Sequence, residues 1–349
     1  MKAWVLHGAG DLRPEIIERP TPTEGEVLVR VKGAGICGSD IPRIYQTGAH
    51  IHPLIPGHEF SGVVEELGTG AEESWLGQRV GVFPLIPCRT CGPCRNRQYE
   101  MCRHYSYLGS RRDGGFAEYV TVPVWNLLRL PETVPFEEAA MLEPMSVAVH
   151  AMRRVMPSET DTVAVCGLGT IGMLLTMFLL EAGVRKILLI GNKDFQRQTV
   201  QKMGISEEVY CDSRRQDVSR WLTEQTDGRG ADVFFECVGR QETCALGIQS
   251  AAPLGRVMLV GNPFTDMRLP RDVYWKILRN QLTVIGTWNS TFLREPEDDW
   301  SYVLERLADK RVKPAQLITH RFSLAEMGQG FQIMRDKMEE YGKIMGNFE

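Results

Sequence analysis

The chain has 349 residues, enough for two domains with sizeable cores, and its 43% hydrophobic and 24% charged residues exclude a disordered chain. A net charge of −4 argues against electrostatic binding of nucleic acid. The opening MKAWVLHGAG lacks the apolar core of a signal peptide, the apolar run Ile171 to Leu180 is too short to cross a membrane, and nine cysteines then point to a reducing, cytoplasmic setting where thiols serve metals.

The first part of the chain reads as β-rich. KAWVLH, EVLVRVKGAGI and FSGVVEEL are short apolar or alternating runs, separated by Gly and Pro clusters such as PTPTEG. Cys37-Gly-Ser-Asp40 and Gly57-His58-Glu59-Phe-Ser-Gly62 fall at the ends of these runs, on connecting turns. Thiolate, imidazole and carboxylate are the ligand types of a catalytic zinc, which keeps one position open for water or substrate. Cys37 alone reads equally well as a buried structural cysteine. Val80 to Pro84 is a further strand candidate.

Next comes Cys88-Arg-Thr-Cys91-Gly-Pro-Cys94, with Cys102 beyond it. Four cysteines within fifteen residues let one lobe wrap a tetrahedral ion with every corner filled by sulfur, which predicts a structural zinc. A redox pair needs only two of them. In GSRRDGGFAEYVTV, Asp113-Gly114-Gly115 reads as a turn and FAEYVTV as a strand. Arg111 and Arg112 are then cations on a loop, either solvated or able to clamp a phosphate or carboxylate. Glu143 stands in a Leu-Glu-Pro context near a helical run that starts after Pro135.

From about Met145 strands and helices alternate, which predicts a parallel sheet with right-handed crossovers. The run Thr162–Cys166 is a strand, Gly167-Leu-Gly169-Thr170-Ile171-Gly172 matches G-x-G-x-x-G, and a long apolar helix follows. Between a strand and a helix this is a strong dinucleotide-binding signal, with the pyrophosphate at the helix N-terminus. The second strand ends in Ile190-Gly191-Asn192-Lys193-Asp194. Gly191 replaces the acid that holds a ribose 2′-hydroxyl, so it makes room for a 2′-phosphate, with Asn192, Lys193 and Arg197 as its partners. That favours NADP over NAD. Further strands are expected at Val209-Tyr210 and in 231–239, 255–262 and 282–288. Helical runs follow in WSYVLERLADK and SLAEMGQGFQIMRD.

With these motifs in place, the chain resembles the zinc-containing medium-chain alcohol/polyol dehydrogenases over nearly its whole length. The resemblance implies an α/β protein: a GroES-like β-rich catalytic domain (1–145 and 289–349) plus a Rossmann doubly wound parallel-sheet domain (146–288). It implies two Zn²⁺ per subunit. Cys37, His58, Glu59 and Glu143 are the candidates for the catalytic zinc, and Cys88, Cys91, Cys94 and Cys102 those for the structural one. Alcohol dehydrogenases of the family carry a second cysteine late in the first domain. Polyol dehydrogenases carry Glu in the Leu-Glu-Pro context, so Glu143 and Glu59 are each a ligand or a neighbour of one. Ser39 falls where the family has a proton-relaying hydroxyl. Within the family, PRIYQTGAH, FPLIPC, GSRRDGGFAEY and KILRNQLTVIGTW are most similar to enzymes of phosphorylated sugar alcohols. That implies Tyr45, Arg111 and Arg112 as substrate residues, NAD(P) as oxidant and a homo-dimer or homo-tetramer. His50, near the pocket loop, is the histidine outside the motifs most apt to take part. A sorbitol-type or threonine dehydrogenase, a metal-free quinone-oxidoreductase-like reductase and a non-catalytic NAD(P)-sensing protein are the competing readings.

Overall fold

The structure, a computed structural model, describes residues 1–348. The chain falls into two units, Met1–Pro144 with Ser290–Glu349, and Met145–Asn289. It is the α/β architecture expected, and no helix of the described residues is long and apolar enough to cross a membrane.

The first unit is organised on the strand Glu26–Gly35, which is buried along nearly its whole length because it has neighbours on both edges. One edge pairs antiparallel with Glu59–Leu67. The other is shared: its first half pairs with Tyr119–Pro123 and its last residues with Lys343–Asn347. Across the sheet the order is Ile318–Phe322, Lys343–Asn347, Glu26–Gly35, Glu59–Leu67, Arg79–Val82, Leu127–Arg129. The register sets Gly35 opposite Glu59 on one side and Met345 on the other. The tail of the chain is thereby laid beside the His58-Glu59 turn. Phe60, Phe116 and Phe331 are fully buried here, Phe116 meeting Phe331 edge-on at 5.2 Å, and each ring contributes roughly 1.5–3 kcal/mol of burial. FAEYVTV is a strand only from Tyr119, because Phe116 N–H and C=O are spent on other segments, the latter accepting from Trp4 N–H at 2.9 Å.

A second aromatic nest supports the cysteine lobe. Phe83 stacks on Phe292 at 4.7 Å, and Trp125 and Trp300 meet Phe292 edge-on at 5.1 and 5.8 Å. Tyr99 and Arg89, both from the lobe, rest on the Trp125 ring at 5.3 and 4.8 Å.

The second unit carries six strands, all parallel in their pairings. Across the sheet they run Tyr210–Asp212, Lys186–Gly191, Thr162–Cys166, Ala231–Glu236, Ala251–Leu259, Thr283–Gly286. Numbered along the chain that is 3-2-1-4-5-6, the doubly wound dinucleotide order. Ala251–Leu259 starts four residues earlier than its apolar run because Ala251 already pairs with Ala231, with a register shift before the pairing resumes. The helix Thr170–Glu181 buries Gly172 to Leu179, and its N-cap, Gly169, supplies no side-chain cap.

Candidate metal and catalytic site

Donor atoms of Cys37, His58 and Glu59 all lie within 4.8 Å of one another. Two turns bring them there: Cys37 follows the strand Glu26–Gly35, and His58-Glu59 opens the strand paired with it. Ser39 Oγ donates to Cys37 Sγ at 3.3 Å, so the expected hydroxyl stands beside the cluster.

Asp40, fully buried, ties the group together. It accepts from Cys37 N–H at 3.0 Å and from Arg43 Nη1 at 2.7 Å, and its Oδ1 lies 3.3 Å from His58 Nδ1. Nδ1 of His58 therefore faces this carboxylate at ion-pair distance without a hydrogen bond. Burial opposes a charge on Asp40, but His58 and Arg43 outweigh it and hold the carboxyl below its ordinary value. Burial likewise opposes a charge on His58, yet Asp40 and the Cys37 sulfur hold the imidazole well above its ordinary value.

Lys343, from the tail strand, is as buried as the acids it meets. Its Nζ pairs with Glu59 Oε2 and donates to Ile36 O at 2.9 Å. Burial depresses its charge, but Glu59, Cys37 and Glu143, in that order, raise its pKa. A Cβ at Gly35 would come within 2.5 Å of Glu59 Oε2 and 2.7 Å of Lys343 Cε, so only glycine lets this pair cross the strand. Asp40 and Lys343 were not among the candidates read from the sequence. Asp40 was within reach, as the fourth residue of Cys-Gly-Ser-Asp. The one sign of Lys343 was a lone lysine ahead of Ile344-Met345.

Glu143 is buried but is not one of the three-donor group. Its Oε1 accepts from Tyr107 Oη at 3.1 Å, and the Tyr107 ring meets His58 edge-on at 5.8 Å. Burial pushes the Glu143 carboxyl up to about 7 against the opposing pull of His58, with the charge of Glu59 adding to the rise.

Cys88, Cys91, Cys94 and Cys102 form the second donor group, again with all sulfurs within 4.8 Å. Gly92–Arg95 is a short helix with proline at its start, and Cys94 within it is buried. Hydrogen bonds, first that from Thr90 N–H, pull the Cys88 thiol down to about 5, while burial pushes Cys94 up to about 12. Four adjacent sulfurs under those opposed pulls suit a thiophilic cation that ionises all of them. Both donor sets fit zinc: a closed S₄ group, and a mixed S/N/O group with a position to spare.

The expected substrate and cofactor residues divide. Arg112 is no part of an open clamp: it is paired with Glu26 and donates to Thr121 Oγ1 at 3.0 Å, because Glu26 is a nearly buried acid that needs a cation. Arg111 instead lies over the Tyr105 ring at 4.8 Å. Tyr45 packs under Arg335 at 4.8 Å and is partly buried. Gly191 does not open a space. A Cβ there would meet Tyr210 Oη at 2.6 Å and Gln196 Oε1 at 2.7 Å, so those side chains already occupy the volume. Gln196 Oε1 accepts from Asn192 N–H at 2.8 Å and Tyr210 Oη donates to Lys193 O at 3.2 Å. Arg197 pairs with Glu207 instead of standing ready for a phosphate. Asp194 is bonded by Arg214 at 2.5 Å, and the same guanidinium holds Asp212 at 2.7 Å.

The alcohol dehydrogenase GroES-like domain matches residues 23–132, and the zinc-binding dehydrogenase domain matches residues 170–309. The chain is 33% identical over 323 residues to galactitol 1-phosphate 5-dehydrogenase of Escherichia coli K12, covering 92% of each. The crystal structure of galactitol-1-phosphate dehydrogenase from Escherichia coli superposes with a TM-score of 0.91 at 32% identity, over 99% of this chain and all of that one. A zinc-binding dehydrogenase of Sinorhizobium meliloti 1021, solved bound to NADP, gives 0.90 at 26% identity over 99% and 98% of the two chains. Identity sustained across nine-tenths of both sequences reflects common descent, not a shared motif, and the chain belongs to the zinc-containing medium-chain alcohol and polyol dehydrogenases.

Proposed function

We propose that the chain oxidises a secondary hydroxyl of a phosphorylated sugar alcohol, such as galactitol 1-phosphate to tagatose 6-phosphate. The carbinol loses a hydride to NAD(P)⁺ and a proton to solvent. The observation that carries this reading is the Cys37–His58–Glu59 donor group with an open position, beside a sealed four-sulfur group, in a chain similar end to end to galactitol 1-phosphate 5-dehydrogenase. Cys37, His58 and Glu59 would hold the catalytic ion, and Cys88, Cys91, Cys94 and Cys102 the structural one. When bound, a zinc ion supplies a Lewis acid that lowers the pKa of the substrate hydroxyl. Asp40 sets its charge against His58 Nδ1, and Lys343 pairs with Glu59. Ser39 Oγ, within hydrogen-bonding distance of Cys37 Sγ, is placed to pass the substrate proton outward. Glu143, steadied by Tyr107, stands beside the donor group as a carboxyl whose pKa burial has raised to about 7.

The turn Gly167–Gly172, with Gly169, Thr170 and Ile171 at the uncapped helix start, would take the dinucleotide pyrophosphate. NADP is favoured over NAD on charge alone. Position 191 carries no carboxylate to repel a 2′-phosphate, and Asp194 is neutralised by Arg214. Asn192 and Lys193 are the proposed partners.

A homo-oligomer belongs to the same reading. The outermost strand of the six-stranded sheet, Thr283–Gly286, and the helix Arg271–Arg279 leave Tyr274, Trp275, Leu278 and Val284 exposed by 55, 50, 52 and 38%. A sheet edge flanked by exposed aromatics favours a second copy.

The test is a panel of polyols and polyol phosphates run with both nicotinamide cofactors. Greater kcat/KM for galactitol 1-phosphate than for galactitol or sorbitol supports the reading. Better turnover of threonine or of free sorbitol contradicts it.

A further inference from the structure

We propose that Arg111, His50 and Arg43 form a subsite for a phosphate monoester dianion at the rim of the Cys37–His58–Glu59 group. The inference rests on the polyol-phosphate reading and names the side chains that would impose it.

The loop bearing Arg111 is laced to the segment that leads into His58. Gly114 N–H donates to Ile55 O at 2.8 Å, Gly115 N–H to Gly57 O at 2.8 Å and Phe116 N–H to Pro56 O at 3.0 Å. A side chain at Gly114 would run into Gly57 O, so glycine lets the two backbones lie flat on each other. Asp113 is spent on the same lacing, its Oδ1 accepting from Ile55 N–H at 2.9 Å. Contacts then run from His58 to the Tyr107 ring at 5.8 Å, from Tyr107 to Tyr105 at 6.2 Å, and from Tyr105 to the Arg111 guanidinium at 4.8 Å. Arg111 is therefore held at a fixed offset from the donor group. Its Nε is buried and has no hydrogen-bond partner among the described residues, which is costly unless a ligand supplies an acceptor.

His50 lies on a second pinned loop, where Ala49 N–H donates to His52 Nε2 at 3.1 Å. Burial lowers the His50 pKa, and the charges of Arg111 and then Arg43 lower it further, so His50 is an uncharged imidazole that feels both guanidinium charges. Asp40 accepts from Arg43 Nη1 at 2.7 Å and also serves His58 and Cys37, which ties Arg43 to the donor group. The two guanidinium charges disfavour the protonated form of His50, and an anion joining the group relieves that cost. A phosphate monoester offers enough oxygens for a guanidinium fork and an imidazole together, whereas a neutral polyol offers neither arm a charge.

The experiment compares kcat/KM for galactitol 1-phosphate and galactitol in the wild-type enzyme and in Arg111→Ala, Arg111→Lys and His50→Ala, with inorganic phosphate as a competitive inhibitor. Arg111→Ala should reduce the ratio of kcat/KM for galactitol 1-phosphate to that for galactitol by about 10- to 100-fold and weaken inhibition by inorganic phosphate. Arg111→Lys should restore part of the preference, and exposed His50, which carries no packing load, should give a smaller loss in the same direction. A wild-type enzyme that prefers the phosphate, with that preference intact in Arg111→Ala and His50→Ala, overturns the subsite alone. A wild-type enzyme with no preference for the phosphate overturns the polyol-phosphate reading and the subsite with it.

Discussion

The two donor groups of the first unit are built on opposite plans. Cys88, Cys91, Cys94 and Cys102 come from one short stretch, so the lobe is closed by local turns and a single short helix. Cys37, His58 and Glu59 come from two turns, and they are held by Asp40 from one segment and Lys343 from the far end of the chain. A group sealed by one ligand type has every corner filled and serves stability. A group of mixed ligands, whose charges are balanced by distant partners, keeps a corner for chemistry. The lesson is that closure is local and cheap to encode, while an open site needs the whole fold to hold it.

The sharpest way to break that contrast is to remove one sulfur from each group. Cys37→Ser should lower kcat/KM by at least about 10³-fold, the loss of a Lewis-acid contribution of several kcal/mol, with the thermal midpoint nearly unchanged. Cys91→Ser should do the reverse, destabilising the lobe while the folded fraction keeps most of its turnover. Equal effects on melting and activity in both variants would erase the distinction. The next effect tests the long-range support. Lys343→Met leaves Glu59 buried without its cation and should cost about 3–5 kcal/mol in denaturant unfolding, with Glu59→Gln in the same background recovering part of it. No change in unfolding midpoint would mean that the tail strand does not hold the site.

Smaller effects separate the two neighbouring arginines. Arg112→Ala should cost about 1–2 kcal/mol through its bonds to Glu26 and Thr121 and leave substrate preference alone. A changed ratio of phosphate to free-polyol turnover would return Arg112 to the substrate. The same pair sets the smallest effect, a pH dependence. Burial opposes ionisation of Glu26, but bonds from Thr23 and Arg112 prevail and hold its carboxyl below the ordinary value. A depressed carboxyl stabilises the fold above its unfolded pKa, near 4.3, and that stability is lost as pH falls through the folded value. Unfolding measured from about pH 6 down to pH 3 should therefore show a shallower decline in Glu26→Gln than in wild type. Parallel curves would remove Glu26 from the acid transition.

What was legible in the sequence follows the same division. The cysteine lobe, the Gly167–Gly172 turn and the strand Thr162–Cys166 are spelled out by contiguous residues, and the structure places them where the spacing did. Cys37, His58 and Glu59 were legible as types, because short motifs carry them. Their supports were not. Lys343 reaches Glu59 only because Gly35 is paired with strands on both sides, a fact of sheet order that no local window contains. Arg111 and Arg112 are adjacent and chemically equivalent in the sequence, yet a strand partner, Glu26, claims one of them. Gly191 misled for the same reason. Absence of a side chain looked like free volume, and Tyr210 from the next strand had filled it.

Metal content measured together with turnover, in the wild-type protein and in Cys37→Ser, tests the open zinc group most directly. The active wild type should carry two zinc ions per chain, and Cys37→Ser one, with turnover lost while the fold persists. A Cys37→Ser protein that keeps both ions, or one that loses an ion and still oxidises the polyol phosphate at the wild-type rate, would contradict the open zinc group.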